Sequence, residues 1–379
     1  MAQTNFAALT SEQLTAWQRS VWVEARNKSF INKFAGKGAN SMVQRVTELS
    51  KSEKGARAVM TLVNEMETDG IVGDYELEGN EEGLSSTEDV IRIDQIRNAN
   101  RSKGKLADQK SVVNFREQSK DKLGYWIADR CDQLAFLTLS GVAYTKTNKG
   151  ADRPVRKTGL NLGDLEFAAD VSAPTSRRHL RWDATTGLES GDTSAVVAAD
   201  TLTYAAIVRL LAYAEDEYIR PIMEKGNSSM YHIFVTPQGL ADLKLDNDFL
   251  ENVRHATPRS TSNQLFGGTT QTLMVDGAYI HSFRHVYNTL NAASGTGKWG
   301  AGSDVDGQRV LLCGAQSLGL ADITAPSWVE KDFDYGNKQG ISVGKIMGLK
   351  KPKFKTSHGD KTVQDFSVIC MDTAVSAAI

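Results

Sequence analysis

Gly70-Ile71-Val72-Gly73-Asp74-Tyr75-Glu76-Leu77-Glu78-Gly79-Asn80-Glu81-Glu82-Gly83 begins the most telling segment of the chain, and Arg97-Asn98-Ala99-Asn100-Arg101-Ser102-Lys103-Gly104-Lys105 lies towards its end. Between Asp74 and Asp94 stand eight acids and one base, Arg92; between Arg97 and Arg116 stand six bases and one acid, Asp108. Joining the two halves, Val90-Ile91-Arg92-Ile93-Asp94-Gln95-Ile96 alternates as a strand does. Residues 70–113 hold too few apolar side chains for a core of their own. Structureless loops longer than about 15 residues are uncommon in compact domains unless they serve a function. Two readings stay open. One is a solvated, mobile insertion. The other is a two-limbed projection ordered by lying across a neighbouring molecule, where limbs of opposite charge steer register more than they add affinity.

The flanks read as regular structure. Residues 114–140 predict a long helix: Leu123, Ile127, Cys131, Leu134 and Leu137 recur at steps of four and three, and Gly141 supplies the stop. Cys131 lies in that stripe and is expected to be a buried thiol. Residues 10–35 predict an amphipathic helix opened by a capping box, Thr10 with Gln13, and carrying Trp17, Trp22, Phe30 and Phe34. Trp17 and Trp22 either pack on the chain's own core or belong to an arm docked on a neighbouring subunit. Residues 145–195 read as long loops with short strands. Their basic cluster, Arg177-Arg178-His179-Leu180-Arg181, reads as a solvated or inter-subunit surface rather than a phosphate site.

Further along, residues 200–224 predict a helix with Asp200 as N-cap, and residues 230–235 a buried strand. A helix follows, capped by Thr236, with Pro237 at its first position, where a missing N–H costs nothing. Strands are expected near 272–275, 278–287 and 309–313, and a short helix at Gly314-Ala315-Gln316. Beyond 326 strands prevail, and Lys345, Lys350, Lys351, Lys353, Lys355 and Lys361 make that end basic.

At 379 residues the chain is long enough for two or three domains or one large fold with insertions. Hydrophobic residues are 40% and charged residues 24%, which excludes collagen, a disordered tail and a disulfide scaffold. A formal net charge of −2 argues against a protein whose main task is to coat nucleic acid. Cys131, Cys313 and Cys370 are odd in number and far apart, so a reducing compartment is expected. No apolar run approaches ~18 residues, so no membrane helix is expected, and Met1-Ala2-Gln3-Thr4-Asn5 has neither the charge nor the apolar run of a secretory signal.

Catalytic patterns fail on inspection. Gly295-Thr296-Gly297-Lys298-Trp299-Gly300 spells a dinucleotide fingerprint, but polar, glycine-rich sequence surrounds it where a strand and a helix are required. His281 and His285 have the spacing of a helical metal pair, yet their aromatic and β-branched neighbours predict a strand. That puts them about 13 Å apart, too far to share an ion. We expect no catalytic constellation, no cofactor and no metal.

Several short segments, taken in order, carry a resemblance: Leu210-Leu211-Ala212-Tyr213-Ala214-Glu215-Asp216; Val235-Thr236-Pro237 with Asp242-Leu243; Cys313-Gly314-Ala315-Gln316; Asp334-Tyr335-Gly336-Asn337-Lys338; Gly348-Leu349-Lys350-Lys351; and Asp365-Phe366. The chain resembles the major capsid proteins of tailed bacteriophages with the Hong Kong 97-type fold, in the branch typified by the podovirus N-four. Ser367 departs from the glycine expected there. The resemblance implies an α+β chain in five parts: an N-arm (1–69), an extended E-loop (70–113), a spine helix and P-domain with a loop insertion (114–199), an α/β A-domain (200–335) and a C-terminal return to the P-domain (336–379).

The function implied is a non-enzymatic shell subunit that builds hexamers and pentamers of an icosahedral head around double-stranded DNA. Its implied place is the virion shell, assembled in the host cytoplasm. Its implied partners are its own copies, a separate scaffolding protein, a portal and DNA by non-specific contact, with a decoration protein left open and no membrane. Glu76, Glu78, Glu81, Glu82, Arg97, Arg101, Lys103 and Lys105 are the expected inter-subunit residues of the E-loop, and Trp17 and Trp22 those of the docked arm. Two alternatives are an encapsulin-like compartment shell and a nucleotide-dependent enzyme using the 295–300 loop.

Overall fold

A computed structural model of the chain describes residues 29–46, 57–63, 66, 68–84, 86–110, 115–224, 229–256, 272–323, 327–355 and 362–376. From residue 29 the chain makes one 3-10 turn (Ile31–Phe34) and two short strands, β1 (Ala35–Gly36) and β2 (Val43–Val46). An antiparallel ribbon follows, β3 (Arg57–Val63) against β4 (Ser86–Arg92). After one residue, Ile93, come β5 (Asp94–Arg101), the short α1 (Lys105–Gln109) and the long α2 (Phe115–Ser140). The middle holds β6 (His179–Asp183), β7 (Gly187–Ser190), α3 (Tyr204–Asp216), β8 (Ile222–Met223), β9 (Ser229–Val235), α4 (Pro237–Leu245), α5 (Asn247–Ala256), β10 (Thr272–Val275) and β11 (Ala278–Ser282). Strands close the chain: β12 (Gly307–Cys313), β13 (Leu318–Asp322), β14 (Ser327–Phe333), β15 (Lys338–Lys350), β16 (Lys353–Lys355), β17 (Val363–Asp365) and β18 (Val368–Ala374).

Two sheets organise these elements. One is built on β15, whose length lets β14 and β13 lie end to end along one edge while β5 runs antiparallel along the other; β2 and β1 extend the β13 side. The other runs β10-β11-β9-β12-β18-β6-β7, with β8 on β9. Its central strands β12 and β18 are buried at every residue, as expected of strands covered on both faces. Helix α2 explains how the parts join. Its C-terminal half, Leu134 to Ser140, is buried all round, in a core shared with Phe234, Leu311, Val343, Met347 and Cys370 from both sheets. A second core sits under α3, where Ala206, Ile207, Leu210 and Ala214 face Ile233, Val310 and Met371. A third, small core of Val46, Met60, Ile91, Ala321 and Phe354 holds the base of the ribbon.

Local chemistry accounts for most boundaries. Gly141 ends α2 with φ +67°; its N–H bonds the Thr138 carbonyl at 3.1 Å and that of Val142 bonds Leu137 at 3.0 Å, the double closure of a left-handed C-cap. Thr236 accepts the Gly239 N–H and Pro237 starts α4, as expected. Cys131 is buried beside the Met347 sulfur at 3.6 Å.

Elsewhere the structure corrects the expectations. Residues 31–36 are not the end of an α-helix: one 3-10 turn bends the chain so that Phe30 and Phe34 enter an aromatic cluster with Phe136, Phe234 and Phe283. Helix α3 is capped by Thr203, not Asp200; Asp200 is buried and binds the Ala184 and Val197 N–H groups, closing a loop. Strand β11 stops at Ser282 rather than 287. The segment 314–316 is a turn, with Gln316 at φ +60°, because the chain must pass from β12 in one sheet to β13 in the other within four residues.

Candidate inter-subunit surfaces

The acidic half of the charged segment is the tip of the ribbon. Strand β3 is its outgoing limb, so the excursion begins at Arg57, ahead of residue 70. Residues 68–84 hold little regular structure and project with their apolar side chains in solvent: Val72 is 78% exposed, Tyr75 82% and Leu77 61%. Short polar bonds shape the tip. Glu82 accepts from the Thr68 N–H and hydroxyl, Glu81 accepts from the Gly79 N–H, and Asn80 donates to the Glu76 carbonyl. No cation among the described residues pairs with Glu76, Glu78 or Glu81. An apolar, acidic tip held out from the core is the surface of a molecule that binds something, since contiguous exposed apolar groups rarely persist on a monomer without a partner.

The basic half does not project. Strand β5 is part of the subunit's own sheet, paired with β15 from Asp94↔Met347 to Arg101↔Gly340. Buried Ile96 explains why: with a two-residue period it faces the core, and Gln95, Arg97, Ala99 and Arg101 necessarily face out. The expected pair of projecting limbs is therefore one projecting tip and one flat, basic strand. Lys103 and Lys105 continue this exposed edge, held by Ser102 and Lys105 N–H bonds to the Gln339 and Asn337 carbonyls. The structure thus separates the eight expected E-loop residues into two surfaces on one chain. Trp17 and Trp22 lie outside the described residues.

Many other charges are satisfied inside the fold, including several that looked available from sequence. Arg177 and Arg178 both pair with Glu217, at 2.6 and 2.9 Å; His179 meets Asp372 at 2.6 Å; and Arg181 pairs with Asp183 and Glu189. The basic cluster 177–181 is therefore neutralised within the chain. Three of the C-terminal lysines are similar: Lys351 pairs with Asp365 at 2.7 Å, Lys345 with Asp322 at 3.5 Å and Lys350 with Asp89, while Lys361 lies outside the described residues. Nothing in the composition pointed to the central device, Arg309. Its guanidinium grips Asp372 at 2.7 and 2.9 Å and donates to the Ser140 carbonyl at 2.8 Å, capping α2. Burial alone would raise the Asp372 carboxyl; the Arg309 charge and the His179 hydrogen bond hold it below the usual carboxylate range.

The histidines go to separate partners. His281 lies 3.0 Å from His232, ring nitrogen to ring nitrogen, and His285 meets Asp129 at 2.7 Å. Among the described residues no three of His, Cys, Asp and Glu gather as a metal site. Gly295-Thr296-Gly297-Lys298-Trp299-Gly300 forms turns closed by a Trp299↔Val305 bridge, with no helix opening on it, and Lys298 pairs with Asp306. Burial raises the thiols of Cys131, Cys313 and Cys370, the last to about 11, so none has thiolate character.

Comparison with known proteins converges. The family model described as phage capsid protein matches residues 5–377. The major capsid protein of Pseudomonas phage KPP25 is 52% identical over 368 residues, covering 97% of this chain and 96% of that protein. The capsid of Ralstonia phage GP4 superposes with a TM-score of 0.74 at 24% identity, covering 99% of this chain and 96% of that one. For the cyanophage Pam1 capsid the TM-score is 0.70 at 19% identity, with 100% and 97% covered. With a spine helix, a projecting ribbon and two sheets on a shared core, this chain belongs to the phage capsid protein family and has the Hong Kong 97-type fold.

Proposed function

We propose that the chain is the major capsid protein of a tailed phage, assembling into the hexamers and pentamers of an icosahedral head around double-stranded DNA. The observation that carries this is the 52% identity over nearly the whole length to a phage major capsid protein. The surfaces suit it: a subunit with an apolar, acidic projection and a separate basic face has two non-equivalent contact sites. Head-to-tail contacts of that kind form rings when the rotation between neighbours closes. The five-part division, 1–69, 70–113, 114–199, 200–335 and 336–379, goes with this reading, with the loop's outgoing limb reaching back to Arg57. The reading assigns no catalytic chemistry. It places the protein in the virion after assembly in the host cytoplasm, with a scaffolding protein, a portal and packaged DNA as partners.

Electron microscopy of the purified chain across a concentration series, with and without a co-expressed scaffold, tests this. Rings, shells or tubes with five- or six-fold units are expected; a monomer under every condition would refute it. In this reading residues 74–110 lie against an adjacent subunit. Replacing Arg97, Arg101, Lys103 and Lys105 by Glu should then abolish normal heads while the subunit still folds, as read by circular dichroism.

A further inference from the structure

Resting on the shell reading, we infer that one face of α2 and the loop that follows it form a binding site for the phosphates of packaged DNA. Arg130 and Arg153 are its central pair, with Lys149, Arg156 and Lys157 beside them.

The loop is basic by sequence. Residues 141–160 carry Lys146, Lys149, Arg153, Arg156 and Lys157 against one acid, Asp152, in a chain of formal net charge −2. Lys146 takes that acid, at 2.7 Å. Asn148 ties the loop back along α2, donating to the Gln133 carbonyl at 3.2 Å and to the His285 carbonyl at 2.7 Å. Arg153 is thereby brought to the helix. Its Nη2 donates to Gln133 Oε1 at 3.1 Å, and Arg130 Nη1 donates to the same oxygen at 2.6 Å. Gln133 is held in that role, because its amide nitrogen donates to Asp129 at 2.8 Å.

Two guanidiniums therefore converge on one neutral oxygen. Burial and the Arg130 charge pull Arg153 below its ordinary value, and Asp129 offsets them only in part. Asp129 is already engaged, by His285 at 2.7 Å and Arg284 at 3.1 Å. Neither Arg130 nor Arg153 has an ion-pair partner among the described residues, whereas Arg178 and Arg309 each have one. An anion with several oxygens would satisfy both planar forks at once, and a phosphate has that form.

The surroundings favour a chain of phosphates over a single carboxylate. Lys149, Arg156 and Lys157 are exposed and have no ion pair among the described residues, so positive charge continues along the loop instead of ending at one point. The loop is shaped before any ligand arrives: Asn161 accepts the Arg156 N–H at 2.7 Å and Asp164 accepts the Gly159 N–H at 2.8 Å. Contacts to phosphate alone carry no base information, which suits a container that must accept every stretch of a genome.

Fluorescence anisotropy of the purified full chain with a short, labelled double-stranded DNA, over a series of sodium chloride concentrations, tests this. R130Q/R153Q should weaken binding by ~10-fold or more at low salt, and should flatten the plot of log affinity against log salt by about 2, roughly one unit for each lost phosphate contact. Its heads should keep their normal shape in the electron microscope. R97Q/R101Q, on the β5 edge, should leave the slope as it is. R156Q/K157Q, at exposed positions, should flatten it too, and decides the matter if R130Q/R153Q does not fold. Inorganic phosphate should displace the DNA better than chloride does at equal ionic strength. Unchanged slopes in both loop variants, with normal heads, would overturn the site and leave the shell reading intact. A wild-type chain that never assembles would overturn both. Inorganic phosphate bound at this face without any binding of DNA would make it a free-anion site and overturn the proposal. So would polyglutamate bound as tightly as DNA and lost in the same variants, which would assign the face to an acidic protein segment.

Discussion

At the scale of single residues, the chain hides groups whose partners composition cannot reveal. His232 and His281 touch inside an aromatic cluster, with Phe34 4.9 and 5.0 Å away and Phe234 stacked on His281. Burial lowers His232 to about 4; burial, with the nearby His232 and Lys33 charges, lowers His281 to about 3. Tyr279, stacked on His232, donates to Glu224, and Lys33 is the neighbouring cation. Unfolded histidine takes its proton near pH 6.5, whereas the folded rings stay neutral. Between about pH 6.5 and 4 the unfolded state therefore binds more protons. Stability is full above that window and drains as pH falls, by up to about 1.4 kcal/mol per pH unit for each ring. The urea midpoint should drop from pH 7 to pH 5, and H281F should flatten the dependence by roughly half; an unchanged slope would show that the pair does not govern it. A second prediction concerns Arg309. R309M leaves buried Asp372 with His179 alone and should cost about 3–5 kcal/mol in denaturant unfolding, whereas R309M/D372L should recover part of that loss. A sequence shows a charge but not its counter-charge 39 positions away, as for Arg178, or 14 away across a strand turn, as for Lys351, which is why the 177–181 cluster and the C-terminal lysines read as basic surface.

At the scale of elements, periodicity was a good guide wherever one element decides its own state. The stripe from Leu123 to Leu137, the Thr236–Pro237 helix start and the run 230–235 all form as their spacing dictates. It failed where a partner decides. The alternation around residues 90–96 marks strands, but whether β5 projects or joins a sheet depends on β15, some 240 residues later. Residues 314–316 turn because two strands must meet there. The tip was legible as charged and core-poor, while the basic strand's outward face became visible only through its register. Two glycines give sharp tests. G141A must hold a left-handed φ and bring its Cβ within 2.5 Å of the Ser172 carbonyl oxygen; a loss of at least about 1–2 kcal/mol is expected, seen as a lower unfolding midpoint. Gly348 faces the ribbon's base, where any side chain would run into the Arg92 carbonyl oxygen. G348V should therefore speed hydrogen exchange in 57–63 and 86–92 while leaving the end of α2 protected. Equal exchange in both regions would mean that the ribbon is not docked there.

At the scale of the whole molecule, enclosed charges pair within the chain, as in Arg309–Asp372, Lys351–Asp365 and Arg178–Glu217, while Glu76, Glu78 and Glu81 on the ribbon tip and Arg97 on β5 are exposed with no ion pair among the described residues. Dissolved salt should act on these unequally. Exposed charges are screened over about 10 Å at 0.1 M ionic strength and over about 3 Å at 1 M, while enclosed pairs hardly sense the solution. Each exposed pair contributes at most about 1 kcal/mol, but a shell repeats it at every contact. Raising sodium chloride should therefore loosen the assembly, read by light scattering, long before the subunit's near-ultraviolet signal changes. The partition of charge makes ionic strength a control that acts between subunits and leaves each subunit whole.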